Sequence, residues 1–598
     1  MPNWVEMHFP ATDGKPGTPV CLGDFEQIIM ADSPEEVPTA LMRLDQAIND
    51  GRKVVGFCAY DAAAGLDAVK QIHTGPVGHP LLWFGVGGTS IAMKEKNDGP
   101  GYQFGDWEPA MTSEVYQQAF DRVQNYIREG DTYQINLTFP LRSRFEGDVA
   151  ALFSELRQAQ SAAYAAWIHT DDWDILSASP ELFFRIDGKR LLTRPMKGTR
   201  PRGMTVDEDL NARNDLASHP KDRAENVMIV DLLRNDMGRL ARLGSIEPVE
   251  LFSIEKYPTV WQMTSTVEGD LEQMPSLSTA FRALFPCGSV TGAPKVRTMA
   301  IIRELEQESR GVYCGTIGFA DQHSMVFNVA IRTLVLTGRV EGAVSPSCCV
   351  RHGQARYDVG SGLVADSDSA TEYDECLTKA EVLRRAAIPP FDILETLAWH
   401  PQRGFLLLER HLARMARSAR YFDFDFSHEY ATAVLEEAVL HATCSLRVRL
   451  LLSRTGVLRV ETYELSSENP VLRVSLSPKR MDSRNCFLYH KTTHRSFYQE
   501  ALKAAQSQEP DIQDCLLLNE KGELTESTLA NIALCVNGKW LTPAITSGLL
   551  AGTMREELLA KGELSEAVLT LDHLQAASGL HLFNSVRGRF PVALPTIA

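Results

Sequence analysis

The pentapeptide Ala386-Ala387-Ile388-Pro389-Pro390 constrains this 598-residue chain more than any other stretch. Two successive prolines fix φ and remove backbone donors, so the helical pattern that runs into them from Ser369 has to stop. Beyond them the pattern restarts, with strand-like Phe391 to Trp399 and then a helix from His411 to Tyr421 that carries Arg414, Arg417 and Arg420. The expectation is two domains, residues 1–387 and 388–598, each long enough to bury its own core.

Within the first half, Val54 to Asp61 and Leu81 to Gly85 read as strands, and a helix follows from Ser113 as N-cap to a stop at Gly130. Gln134 to Phe139 alternates as a strand, Asp148 to Gln160 reads as a helix, and Ala162 to Ile186 holds two or three more strands. Asp222 to Leu240 is the clearest helix, with Val227, Val230, Leu233 and Met237 predicted on its buried face. Strands are again expected over Gly315 to Phe319 and Val326 to Val335. Many strands with interspersed helices make an α+β class.

The formal net charge of -17 excludes nucleic acid or an anionic membrane surface as the main partner, since both want an extended positive face. The eleven cysteines include no CxxC pair, which fits a reducing cytoplasm. Met1 to Gly14 lacks a basic and apolar leader pattern, and no run of 18 apolar residues occurs. Neither membrane nor export is expected.

In so acidic a chain, clustered cations carry information. Arg194-Pro195-Met196-Lys197-Gly198-Thr199-Arg200-Pro201-Arg202-Gly203 places Lys197 in a bend stiffened by prolines, where its amine can face an anionic ligand. A basic turn alone would be a solvated surface feature. Phe285 to Lys295 has glycines four apart and a lysine after proline, so the spacing of a phosphate loop fails there.

SASPELFF (177–184), RPMKGTRPRG (194–203), DRAENVMIVDLLRND (222–236), FPCGSVTGAPK (285–295), GTIGF (315–319) and GSGLVADSDSATEYDE (360–375) resemble, in order, the chorismate-utilising enzymes and among them the aminodeoxychorismate synthase branch. The resemblance implies large antiparallel sheets with surrounding helices. It implies Mg2+ on Glu225 and Glu372, Glu181 as general acid, and chorismate held by Arg356, Lys379, Thr316 and the backbone at Gly360 and Gly362. It makes Lys197 a nucleophile toward ring carbon C2, where anthranilate synthases carry alanine, and Gln262 stands where related branches carry histidine. No glutaminase signature is present, so ammonia is expected from a separate glutamine amidotransferase subunit.

FDILETL (391–397), LLLERHLARMARSARYF (406–422), HKTTHRSFY (490–498), LTESTLANIAL (524–534), LLAGTMREELL (549–559) and LFNSVRG (582–588) resemble the class IV pyridoxal-phosphate enzymes, an α/β aminotransferase-like fold shared with aminodeoxychorismate lyase. The resemblance implies that Lys491 binds pyridoxal 5'-phosphate covalently, Glu526 faces the pyridine nitrogen, and Arg414, Thr553 and Ser585 hold the phosphate. Joined, the halves imply 4-aminobenzoate formation from chorismate. An anthranilate synthase with an appended aminotransferase, or a synthase with a catalytically silent second half, are the alternatives.

Overall fold

A computed structural model describes residues 3–10, 17–67, 69–73, 75, 78–92, 101–160, 162–383, 390–465 and 471–592. The break at Ala386–Pro389 and parts of Met1–Gly14 lie outside the described residues. The chain divides into two compact units, Met1–Arg202 with Arg213–Ile388, and Gly203–Ala212 with Pro389–Ala598.

The first unit is built on two antiparallel sheets. One runs in the order Gly292–Ala293, Gln134–Asp148, Cys348–Leu363, Thr333–Ser345, Trp173–Ser179, Tyr164–His169, Trp4–His8, Val20–Gly23 and Thr89–Ser90. The other runs Met196–Pro201, Val260–Asp270, Arg190–Arg194, Leu182–Asp187, Ser324–Asn328, Thr316–Ala320, Val54–Cys58, Leu82–Val86 and Gln27–Ala31, with Glu247–Lys256 also on Val260–Asp270. Val5, Ile168, Ile175 and Val335 of the first sheet pack with Val55, Phe57, Leu182 and Ile317 of the second, so the inner faces meet in one apolar layer. Helices close both outer faces. Tyr116, Phe120 and Val123 of helix Ser113–Arg128 join one outer core, and Leu41, Leu44, Ile229 and Phe281 join the other.

Local chemistry places these elements. Helix Ser113–Arg128 is capped by Thr112, whose hydroxyl accepts the Val115 N–H at 3.4 Å, so the cap lies one residue before the Ser113 expected. The region Val326 to Val335 is two strands, Ser324–Asn328 and Thr333–Ser345, separated by Arg332 at φ +52°. Helix Pro220–Met237 buries Asn226, Ile229, Val230, Leu233, Asp236 and Met237. Val227, expected on that face, is 41% exposed because the polar Asn226 and Asp236 point inward.

The second unit begins with the sheet Gly404–Phe405, Ile393–His400, Leu446–Leu452 and Leu458–Glu464. Helices Leu408–Phe422 and His428–Val439 pack on it through Leu412, Met415 and Leu435. A three-stranded sheet (Val474–Met481, Asp514–Asn519, Leu524–Ser527) and a five-stranded one (Ser565–Ala567, Lys539–Pro543, Asn531–Val536, Gly579–Asn584, Gly588–Pro591) follow. Among the described residues, no helix is long and apolar enough to cross a membrane.

Candidate functional site

Lys197 lies in a β-bulge. The strand Met196–Pro201 pairs Met196 with Thr264 and Thr199 with Gln262, so Lys197 and Gly198 together oppose the single residue Met263. Gly198 takes φ +96°, a conformation that side chains resist. The bulge aims the Lys197 amine to within 3.6 Å of Glu225 on helix Pro220–Met237. The amine also reaches the other sheet, where a Cβ added to Gly362 would lie 2.5 Å from Nζ and 3.1 Å from Gln134 Nε2.

Glu181 completes this group. It is 4% exposed, accepts a 2.7 Å hydrogen bond from the Ser289 hydroxyl, and also accepts the Met196 N–H. Burial pushes its carboxyl up to about 7, against the pull of Ser289, Met196 N–H and Lys197. Lys295 explains the segment Phe285 to Lys295: its amine pairs with Asp236 at 2.6 Å and donates to the Leu284 carbonyl at 3.0 Å, pinning the loop that presents Ser289. The lysine of that segment therefore has a protein partner rather than a phosphate.

Lys379 donates to the Gly360 carbonyl at 2.8 Å and pairs with Glu375 at 2.7 Å. Burial would raise the Glu375 carboxyl, but Lys379, Lys197 and Arg332 outweigh it and hold Glu375 below its ordinary value. Those three cations are the positive lining of the site, and a ligand with two carboxylates can replace Glu375 among them. Arg332, Glu375 and Gln134 were not singled out from the sequence. The φ of +52° at Arg332 is invisible there. Gln134 is fully buried with neither end of its amide hydrogen-bonded, which marks a place for a ligand.

Two expected ligand residues stand elsewhere. Arg356 makes 2.9 and 2.7 Å bonds to Asp358 and a 2.7 Å bond to the Ser309 carbonyl, and lines a cavity with Thr138, Glu306, Arg310 and Asp358 that Lys197 does not border. Thr316 is fully buried, and its hydroxyl donates to the Asn328 carbonyl at 2.5 Å.

Glu372 accepts from the Ser361 hydroxyl and, at 2.7 Å, from Ser367. Glu372 is thus held at Ser361, next to Gly362 on the strand Cys348–Leu363, and Glu225 stands on helix Pro220–Met237 beside the Lys197 amine. Their donor set is carboxylate oxygen only, which suits a hard cation such as Mg2+, with substrate and water supplying further oxygens. Among the described residues, the cluster of three metal-binding side chain types is His169, Asp174 and Cys349. Asp174 there is already bound to Arg351, His169 and Trp167 at 2.6, 2.6 and 2.7 Å, a buried structural network.

In the second unit Lys491 is half-buried, and desolvation, with Arg495 and Arg414 nearby, lowers its amine to about 7. Glu395 and Glu526 act on it in the opposite sense, so both carboxylates lie near the amine. Glu526 accepts the Tyr498 hydroxyl, the Leu550 N–H at 3.2 Å and the Asn531 amide at 3.3 Å, and burial raises it to about 7. Arg414 is held by Glu395 at 2.8 and 2.7 Å and by the Ala551 carbonyl at 3.0 Å. A guanidinium has five N–H groups, so donors remain for an anion. Burial works against the Glu395 charge, but Arg414 and His411 hold its carboxyl at about 2. Thr553 opens helix Thr553–Ala560 and meets His411 Nε2 at 3.2 Å, and the strand leading to the buried Ser585 packs on that helix. A buried cation, helix-end N–H groups and hydroxyls fit a phosphate, and a desolvated amine with a carboxylate fits the rest of pyridoxal phosphate. His490 lies tilted against Tyr421 with ring centres 4.3 Å apart, and His494 meets Phe487 edge-on at 4.6 Å.

The profile of the family described as chorismate binding enzyme matches residues 24–385, and that described as amino-transferase class IV matches 392–594. The chain is 42% identical over 275 residues to aminodeoxychorismate synthase component 1 of Escherichia coli (strain K12), covering 46% of this chain and 58% of the relative. It is 37% identical over 284 residues to anthranilate synthase component 1 of Aquifex aeolicus (strain VF5), covering 47% and 55%. The match thus spans little more than half the length of these curated relatives. The menaquinone-specific isochorismate synthase of Escherichia coli shares the fold, with TM-score 0.51, 16% identity, and coverage of 64% of this chain and 88% of that one.

Proposed function

We propose, on the premise that this chain belongs to the chorismate binding enzyme family and carries an amino-transferase class IV domain behind it, that it converts chorismate to 4-aminobenzoate in two steps. The observation that carries the reading is the Lys197 amine, aimed by its bulge at the space over Gly362 and beside Glu225.

In the first step the unprotonated Lys197 amine attacks C2 of the ring, both ring double bonds shift one position toward C4, and the C4–O bond breaks. Glu181, held protonated by burial near neutral pH, gives its proton to the departing hydroxyl, which leaves as water. Ammonia then adds at C4, both double bonds shift back, and the C2–N bond to Lys197 breaks. Lys379 and Arg332 neutralise the substrate carboxylates, and Gln134 offers its amide to the reacting groups. Glu225 and Glu372 would hold Mg2+, which would add positive charge beside a substrate carboxylate. Ammonia would come from a separate glutamine amidotransferase subunit.

In the second unit Arg414, Thr553 and Ser585 would hold the phosphate of pyridoxal phosphate and Glu526 would face its ring nitrogen. When bound, that cofactor supplies an electron sink for the amino group's carbon. Lys491, neutral near pH 7, takes the proton from C4 of the substrate ring. Loss of the C3–O bond then aromatises the ring, and the enolate released takes up a proton at its terminal carbon to become pyruvate.

Purified protein given chorismate, ammonium, Mg2+ and pyridoxal phosphate tests the reading. 4-Aminobenzoate and pyruvate in equal amounts, both lost in Lys197→Ala, are expected. Anthranilate as product would overturn it, and 4-amino-4-deoxychorismate without pyruvate would overturn the second step.

A further inference from the structure

A bulge frees a side chain from the regular ladder, but it also leaves the backbone there less restrained. The carbonyl of Gly198, next to Lys197, is met by the Gln262 side chain, whose Nε2–H donates to it at 3.0 Å. The other end of the same amide accepts the Thr199 hydroxyl at 3.0 Å. The two contacts fix which end of the amide is which, because a carbonyl can only accept and Thr199 has a proton to give. Gln262 therefore grips the residues on both sides of the Gly198–Thr199 peptide bond, directly after the lysine.

We infer that Gln262 is a positioning residue for Lys197, locking the bulge so that the amine points to Gly362 and Glu225 rather than sweeping through its rotamers. The inference rests on the reading of Lys197 as nucleophile. It assigns the side chain at position 262 a task that involves no proton transfer to the substrate: an amide neither gains nor loses a proton at working pH, and its donor and acceptor are both engaged with backbone and Thr199. Loss of the grip should slow attack by the amine while leaving chorismate binding, carried by Lys379 and Arg332, in place.

The experiment withholds ammonium, so that the substrate ring stays on Lys197, and follows the mass of the full chain against time. Wild type is expected to gain the ring at Lys197, located by peptide mass spectrometry. Gln262→Leu, which loses both contacts, is expected to form it about tenfold more slowly, from two hydrogen bonds of ordinary strength. With ammonium present, kcat should fall by the same factor and the KM for chorismate should stay within about twofold. Thr199→Val keeps the grip on Gly198 and should show an intermediate loss of about threefold. It also decides the matter if Gln262→Leu does not fold. An adduct rate in both variants equal to wild type overturns the positioning role alone. Wild type with no adduct on Lys197 overturns the nucleophile reading, and this inference with it. A rise in KM with unchanged kcat would make Gln262 a substrate contact and overturn it too.

Discussion

The Lys197 amine occupies the space that a side chain at Gly362 would fill, 2.5 Å from where its Cβ would lie. The backbone at Gly362 is not in the left-handed region, so alanine is conformationally acceptable there, and its methyl presses first on the amine and then, at 3.1 Å, on Gln134 Nε2. Gly362→Ala is expected to fold with a melting temperature near wild type and to lose about a hundredfold in amination, the scale on which an ångström of misplacement acts. Steady-state kinetics beside thermal unfolding checks this. Full activity in the variant would mean that the amine works from another position.

Glu181 sets the alkaline limit of the first step. Its carboxyl is raised to about 7, so the proton it must donate is present below that pH and is lost above it. The amination rate should fall about tenfold per pH unit above 7. Glu181→Gln should lose about a hundredfold or more and flatten that limb. Stability follows the same sign. Between the ordinary carboxyl value of 4.5 and 7 the folded protein binds the extra proton, so this group's contribution shrinks as pH rises through that window. Unfolding of wild type and Glu181→Gln across pH 4 to 8 measures the difference.

How much of this was legible beforehand depended on whether a residue's task is local. The Ser113–Arg128 helix and the first six residues of the strand Gln134–Asp148 follow from spacing, and Lys197 stands out through its prolines and glycine. Arg356 could not be placed from spacing because it sits on the strand Cys348–Leu363, whose register against Gln134–Asp148 pairs Arg356 with Arg142 and Gly362 with Asn136. At about 3.3 Å per residue, Arg356 is about 20 Å along the strand from Gly362. Arg332 and Glu375 were hidden for the opposite reason: they meet only after Thr333–Ser345 and Ser369–Ala380 have packed. Gln134 reads as one more polar residue of an alternating strand until its amide is seen buried without a partner.

Lys295 supports the site without touching its ligand. Its pair with Asp236 is 11% and 2% exposed, and burial already raises the Asp236 carboxyl despite Lys295 beside it. Lys295→Met removes the charge and leaves Asp236 buried, which should cost about 3 kcal/mol of stability. Since the same lysine holds the loop that carries Ser289, amination should fall more than chorismate binding does, while the visible absorption of bound pyridoxal phosphate should be unchanged. Chemical denaturation with kinetics on the same samples tests both. An unchanged kcat would separate the loop from the acid.

Lys491 should report its desolvation through pH. Its amine is lowered from 10.5 to about 7, chiefly by burial, with Arg495 and Arg414 adding to it. Only the neutral amine can bond to the cofactor's aldehyde, so the rate at which apo-protein captures pyridoxal phosphate should climb about tenfold per pH unit below 7 and level off above it. An ordinary exposed lysine would keep climbing toward pH ~10. Stopped-flow absorbance from pH 5.5 to 9.5 distinguishes the two, with Lys491→Ala as the control that develops no visible band. A plateau near 7 would mean that the desolvated pocket, and not the cofactor, prepares the amine. A rate still climbing at pH 9 would mean that the pocket admits water and that Arg495 and Arg414 are screened from Lys491.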